Sequence, residues 1–416
     1  MSTFPLKPDA ERVRSNIESL AAFVDESKPG WTRRPFTGWY QQGRDWLREE
    51  MAACGLDVSI DAASNLIGRI AGSEPGLPPI MIGSHTDTVT GGGRYDGIIG
   101  VIAGIEIARR LRETGTVLRH PLEIVDFTAE EPSEFGISTI GSRGMVNNLS
   151  AEMMDRQDLT GLLLKDGIRM AGGRPELIAG EARNKGDVSL YLELHIEQGP
   201  VLEQTGNKLG VVTGIVGIHR YRVTVEGKPN HAGTTPMNMR FDALTGASQM
   251  VLELESICRE TYAEQVVGTI GKLHVEPNGA NVIPGRTVFE LEVRSLDADI
   301  LEGIMRRFQE SVHRIAGERK LQAHVDCLSK SEAIRVADDV QQTIRAACRE
   351  TAPSFDLPSG AGHDANQLAR IAPVGMIFVP SRDGRSHCPE EWTEYEDVAL
   401  GVEAVARALL LFDQKL

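Results

Sequence analysis

The chain has 416 residues, room for two or three domains, with 44 basic against 59 acidic side chains and a formal net charge of −15. That balance excludes a general nucleic-acid binder, which needs a lysine and arginine surplus to neutralise phosphates. Apolar residues at 41% and charged residues at 25% are ordinary globular usage and exclude a mostly disordered chain.

The polar, mixed-charge start lacks the apolar stretch of a secretory signal, and no run reaches the roughly 18 apolar residues of a membrane span. A cytoplasmic protein without a membrane partner is expected. Five scattered cysteines with no CxxC point to reduced thiols, not to a disulfide framework or a thiolate metal site. Residues 39–54 read as a helix stopped by Gly55, followed by the short strand-like runs VSID and NLIGRIAG. PPIMIGSH is a buried run, GIIGVIAGIEIARRLRE a long helix ending at Gly115, and LEIVDFTAEE another apolar run that ends in carboxylates. This alternation predicts βαβ units and a mainly parallel sheet, with ligands beyond the carboxyl ends of its strands. Residues 161–187 read as helix and surface loop.

The middle changes rhythm. YRVTVEG alternates as a strand, residues 240–260 read as a helix, and VVGTIGKLHVEP and RTVFELEVRS as strands. A helix over 297–316 and the strand LQAHVDCL complete the order β-α-β-β-α-β of a ferredoxin-like module. Helix–strand alternation then resumes through VADDVQQTIRAACRE, VGMIFVP and EYEDVALGVEAVARALLLF. The expected architecture is a discontinuous α/β domain over 1–213 and 330–416, with a smaller α+β domain over 214–329 inserted. The insertion offers a sheet edge and a helix face to a symmetric partner, so a homodimer is expected.

Polar, Gly/Pro-rich breaks follow several of the apolar runs. GSHTDTVTGGGRYDG holds His85, Asp87 and Asp96. A neutral imidazole binds a divalent ion through one nitrogen while a carboxylate near the other fixes the tautomer, and Asp87 suits that second role. Asp96 opens a helix and has N-capping as its alternative. DFTAEEPSEFG sets Glu130 and Glu131 side by side, so that one carboxylate can ligate while the other stays free as a base. Later breaks carry His195 and Gln198, His231, Asn281 and Arg294, His363, and His387. His120, His219, His274, His313 and His324 lack that setting and read as structural. Imidazole and carboxylate donors without a thiolate cluster suit Zn, Mn, Co or Ni better than Ca or Mg. A shared aspartate with a His/His side and a Glu/His side would hold two ions about 3.5–4 Å apart, for water attack on a polarised carbonyl. Nucleophile chemistry is poorly supported: there is no GxSxG elbow, and Cys388 beside His387 is only adjacency in sequence.

GSHTDTVTGGGRYDG, TAEEPSEFG, LELHIEQGPVLE, GKPNHAGTTPM, ANVIPG, SGAGHDA and SHCPEE, in this order, resemble the M20 metallopeptidase superfamily. More narrowly they resemble its amidase branch of N-carbamoyl-L-amino acid hydrolases, allantoate amidohydrolases and β-ureidopropionases, over about residues 35–410. The resemblance implies that His85, Asp96 and His195 bind one divalent ion, and Asp96, Glu131 and His387 another. It implies Glu130 as general base, taking a proton from the attacking water and passing it to the leaving nitrogen, and Asp87 as the residue that orients His85. Gln198, His231, Asn281, Arg294 and His363 are implied on the substrate, with Arg294 clamping a carboxylate and His231 commonly supplied by a partner subunit. The inserted domain would act as lid and dimerisation domain. Pro132 departs from the family, which often has glycine after the Glu pair. The expected function is metal-dependent cleavage of the ureido C–N bond of an N-carbamoyl-L-amino acid. Allantoate or ureidoglycolate amidohydrolysis, a peptidase or aminoacylase, and a non-catalytic binding protein are the rivals.

Overall fold

The computed structural model describes residues 4–261 and 266–416. The chain divides into two compact units: one runs to Thr213 and resumes from Val336 to Leu416, and Gly214–Arg335 forms the other. Along the first unit lie α1 (Ala10–Leu20), α2 (Gly38–Ala53), β1 (Asp57–Ile60), β2 (Leu66–Ile70), β3 (Ile80–His85), α3 (Ile98–Thr114), β4 (Leu122–Phe127), β5 (Leu190–Ile196) and β6 (Leu209–Ile215). The second unit contributes β7 (Gly217–Glu226), α4 (Ala243–Glu260), β8 (Val267–Glu276), β9 (Arg286–Ser295), α5 (Ala298–Arg319) and β10 (Gln322–Ser331). The chain then returns through α6 (Asp338–Arg349), β11 (Val374–Val379) and α7 (Tyr395–Lys415).

The first unit's sheet runs β1-β2-β4-β3-β5-β11-β6. Its centre, β4-β3-β5-β11, is parallel, and β2 and β6 flank that centre antiparallel. Every residue of β3, β4, β5 and β11 is buried, as continuous apolar runs in a doubly covered parallel sheet should be. Because these four strands point the same way, their carboxyl ends share one edge of the sheet, where ligands of open α/β sheets bind. Helix α3 is apolar almost all round and accordingly buried over most of its length. It lies between Gly97, at φ +70°, and Gly115 in the left-handed region. A Cβ at residue 97 would lie 2.4 Å from His85 Nε2, so only glycine lets the helix start against that ring.

Helix α1 and strand β6 are not evident in the sequence pattern. In α1 the Asp9 side chain caps the first turn, and Val13, Asn16, Ile17 and Leu20 form a narrow buried stripe among charged residues. Residues 161–187 supply the short helix Leu164–Met170, whose Leu164 and Ile168 pack with Phe135 and Ile140 in a small satellite core.

The second unit is an antiparallel sheet in the order β10-β7-β9-β8 with its two long helices on one face. Residues alternate along β7 and β9, so Val223, Val225, Phe289 and Leu291 meet Met250 and Phe308 in the core. The Asp242 and Asp297 side chains cap α4 and α5. No helix among the described residues is long and apolar enough to cross a membrane.

Candidate metal centre

Four strand ends and the loops after them bring the first unit's predicted site residues together. His85 is the last residue of β3, His195 lies one residue before the end of β5, Glu130 and Glu131 follow β4, and His387 lies in the loop after β11. Asp96 stands just before α3 and is their common neighbour. Its Oδ1 lies 3.1 Å from His195 Nε2 and 4.0 Å from His85 Nε2, and its Oδ2 lies 3.0 Å from His387 Nε2. Glu131 Oε1 is 3.1 Å from the same His387 nitrogen, and Glu130 Oε2 is 3.7 Å from His85 Nε2. His85, Asp96 and His195 form one group with metal-donor spacing, and Asp96, Glu131 and His387 another.

The hydrogen bonds behind these atoms fix the rings. His85 Nδ1 lies 3.0 Å from the Asp87 carbonyl and His195 Nδ1 lies 2.9 Å from the Ile196 carbonyl. A carbonyl only accepts, so Nδ1 carries a proton in both rings and Nε2 is the nitrogen that faces Asp96. Asp87 therefore orients His85 through its backbone oxygen. Its carboxylate accepts the N–H groups of Glu130 at 3.0 Å and Glu131 at 3.2 Å, and so sets the path of the acidic pair. The Gln198 amide donates to Asp96 Oδ2 at 3.0 Å and to Ser386 Oγ at 3.1 Å.

Asp87, Asp96, Glu130, Glu131, Glu193, Asp364 and Glu391 are all buried at this edge. Among the described residues none of them forms an ion pair with a lysine or arginine, and the cations within ion-pair distance of them are histidines. Burial pushes Glu130 well above the usual carboxylate range, against the pull of His85. Burial likewise lifts Asp87 to about 6, and Glu391, with Asp96 adding to the effect, to about 7. Asp96 goes the other way: against burial, the His195 and His387 rings beside its two oxygens hold it well below its ordinary value. Hydrogen bonds to Asp96 and Glu131 hold His387 up at about 11. Buried negative charge of this density calls for cations, and buried His195 Nε2 has no hydrogen-bond partner. The imidazole and carboxylate donors present fit divalent transition ions.

A third cluster, Glu193, His195 and His363, has similar spacing. Here the Glu193 carboxylate already accepts the hydroxyls of Ser84 at 2.7 Å and Tyr191 at 3.0 Å. Burial drives His363 far below its ordinary value, so its ring is neutral. It stands edge-on to His195 with centroids 4.6 Å apart.

Residues 81–411 match Peptidase family M20/M25/M40. The chain belongs to that family. It is 40% identical to an N-carbamoyl-L-amino acid amidohydrolase of Geobacillus stearothermophilus, over 95% of this chain and 96% of that one. It is 35% identical to an allantoate amidohydrolase of Bacillus subtilis, over 94% and 95% of the two chains. The crystal structure of a hydantoinase/carbamoylase family amidase from Burkholderia multivorans matches with a TM-score of 0.92 and 33% identity, over 97% and 98%. This M20 chain is an amidohydrolase, acting on amide C–N bonds. M20 enzymes generally use divalent metal ions, and the donor groups described above are of the kind such ions take.

The remaining predicted residues of this M20 enzyme belong to the second unit. His231 and Asn281 are neighbours there: His231 pairs with Val282 in a two-residue ladder, and the Ala232 N–H reaches the Asn281 carbonyl at 2.9 Å. His231 Nδ1 accepts the Gly233 N–H at 3.0 Å, which leaves Nε2 as the proton-bearing, exposed donor. Arg294 lies on β9, and its Nε is 2.8 Å from Glu292. Sequence reasoning missed Glu193 and Glu391, and it names Asp364 beside His363 without a role. Glu193 alternates with His195 inside an apolar strand, and Glu391 sits in the acidic pair of CPEEW, which reads as solvated surface.

Proposed function

We propose that the enzyme cleaves the ureido C–N bond of an N-carbamoyl-L-amino acid, using two divalent ions, Zn or one of Mn, Co and Ni. The observation that carries this reading is Asp96, whose two oxygens face His195 on one side and His387 on the other. His85, Asp96 and His195 would hold one ion, and Asp96, Glu131 and His387 the other. Such ions supply a polarised carbonyl and a water acidified toward about pH 7.

The chain's own groups do the rest. Glu130, beside the ligands and in the same turn as Glu131, takes a proton from the attacking water and passes it to the leaving nitrogen. Asp87 holds Glu130 in place through its backbone N–H. His231 Nε2–H is the donor for the developing oxyanion, an effect worth about 3–4 kcal/mol for a well-placed donor. Arg294 clamps the α-carboxylate, for which a planar fork is better suited than an ammonium. Gln198, Asn281 and His363 complete the substrate's polar contacts. The second unit serves as lid and as the contact of a homodimer. One water is consumed, and an amino acid, carbon dioxide and ammonia are released.

Allantoate is the second reading, favoured by the 35% identity to the Bacillus subtilis enzyme. Ammonia release by metal-reconstituted protein separates the two across N-carbamoyl-L-amino acids, their D enantiomers, allantoate, ureidoglycolate and dipeptides. The carbamoyl L-series should show the highest kcat/KM, with Arg294→Ala raising KM at nearly constant kcat. Turnover of allantoate alone moves the assignment to the second reading, and turnover of dipeptides alone overturns both.

A further inference from the structure

His85 and His195 are held by strands. Asp96 and His387 are carried by loops, and His387 has the left-handed backbone, φ +57°, that a non-glycine residue seldom adopts. Something must therefore fix the second ligand pair. Glu391, 2% exposed, lies between the two loops. Its Oε1 accepts the backbone N–H of Tyr95 at 3.0 Å and of Asp96 at 3.1 Å. Its Oε2 is 3.1 Å from the Ser386 hydroxyl, which in turn lies 3.2 Å from Asp96 Oδ2. The approach is close enough that a Cβ on Gly93 would stand 2.1 Å from Glu391 Oε1. Next to this clasp the Arg94 guanidinium lies over the Trp392 ring at 4.8 Å, joining the same two loops a second time.

We propose that Glu391, with Ser386, is a positioning residue that builds the Asp96–His387 half of the metal centre by tying the Asp96 backbone and carboxylate to the loop that carries His387. The proposal rests on the two-ion reading above. The effect of the clasp falls on one half: Asp96 serves both, but the other half has two further donors, His85 and His195, fixed by β3 and β5, which none of these bonds touch. Partners behind metal ligands typically govern 10–100-fold in affinity.

The test uses the full chain and zinc alone, with stepwise affinities from competition against a chelating dye and metal content after dialysis. Wild type should take two ions. Glu391→Ala should keep the first and bind the second about 10–100-fold more weakly. Glu391→Gln should fall between, since its carbonyl still accepts both amides, and Ser386→Ala should show a smaller loss confined to the second ion. Two wild-type affinities in Glu391→Ala, or equal loss of both ions, overturns the proposal. Should that variant fail to fold by circular dichroism, unchanged second-ion affinity in both Glu391→Gln and Ser386→Ala overturns it instead. Failure of the two-ion reading looks different: wild type itself holds fewer than two ions, or His387→Ala leaves both affinities intact.

Discussion

Charge is gathered in two places, and the two obey opposite physics. On the outer face of the second unit's sheet, Arg222 pairs with Glu290 at 2.7 Å, Lys272 reaches the same carboxylate at 2.9 Å, and Arg220 meets Glu292 at 3.0 Å. These side chains keep between 24% and 66% of their exposure, so water solvates them and salt screens them. At the carboxyl edge of the first unit's sheet Asp87, Asp96, Glu130 and Glu131 are buried, and no lysine or arginine forms an ion pair with them among the described residues. In the first arrangement every carboxylate has its cation, and the pairs contribute little. The second is incomplete without a cation, and that incompleteness is what makes it a site.

The sharpest way to break this contrast is at Glu130. Glu130→Gln should lower kcat by about 10²–10⁴-fold while metal content stays at the wild-type value, read by elemental analysis. A near-normal kcat would remove the base and leave the buried charge as ligand alone. Metal removal comes next. Chelation should speed amide hydrogen exchange at Asp96, Glu130 and Glu131, whose N–H groups are held by Glu391 and Asp87, and leave the β7–β9 ladder unchanged. Equal acceleration in both units would show that the ions act on general stability.

Arg12 offers a buried pair without a metal. Its Nε lies 2.6 Å from Glu106, whose side chain is fully buried, while Arg12 itself keeps 21% exposure. Arg12→Ala takes that carboxylate's cation away and leaves it the Asp9 N–H at 2.8 Å. It should cost about 2–3 kcal/mol in urea unfolding, below the cost for a wholly buried pair because Arg12 still reaches water. The smallest effect is expected at Arg222. Arg222→Ala should change stability by no more than about 0.5 kcal/mol, since Lys272 and water remain for Glu290. A loss comparable to that at Arg12 would end the distinction between the two kinds of cluster.

Much of this was legible before any coordinates. Continuous apolar runs that end in histidine or carboxylate mark parallel strands whose tips carry chemistry, and His85, Glu130, Glu131 and His195 fall there. The alternation in residues 217–226 and 286–295 likewise announces half-exposed antiparallel strands. What stayed hidden depends on contacts across long separations. Helix α1 has a low apolar content, and its burial is decided by where it packs. The antiparallel direction of β6 beside β11 is a pairing choice that periodicity cannot carry. Glu391 is a further case: nothing local tells a carboxylate that accepts two amides nearly 300 positions away from one that faces solvent.

Strand β11 has a consequence for how the enzyme is made. It lies between β5 and β6 in the sheet, yet it emerges from the ribosome more than 150 residues after either of them. Until then the growing polypeptide exposes two unpaired backbone edges and holds four of the five side chains of the two donor groups, His387 being still unmade. The insertion, a compact unit of its own over Gly214–Arg335, can fold while this gap stays open. Completion of the donor set is thus a late event of biosynthesis, set by the order in which the polypeptide is threaded.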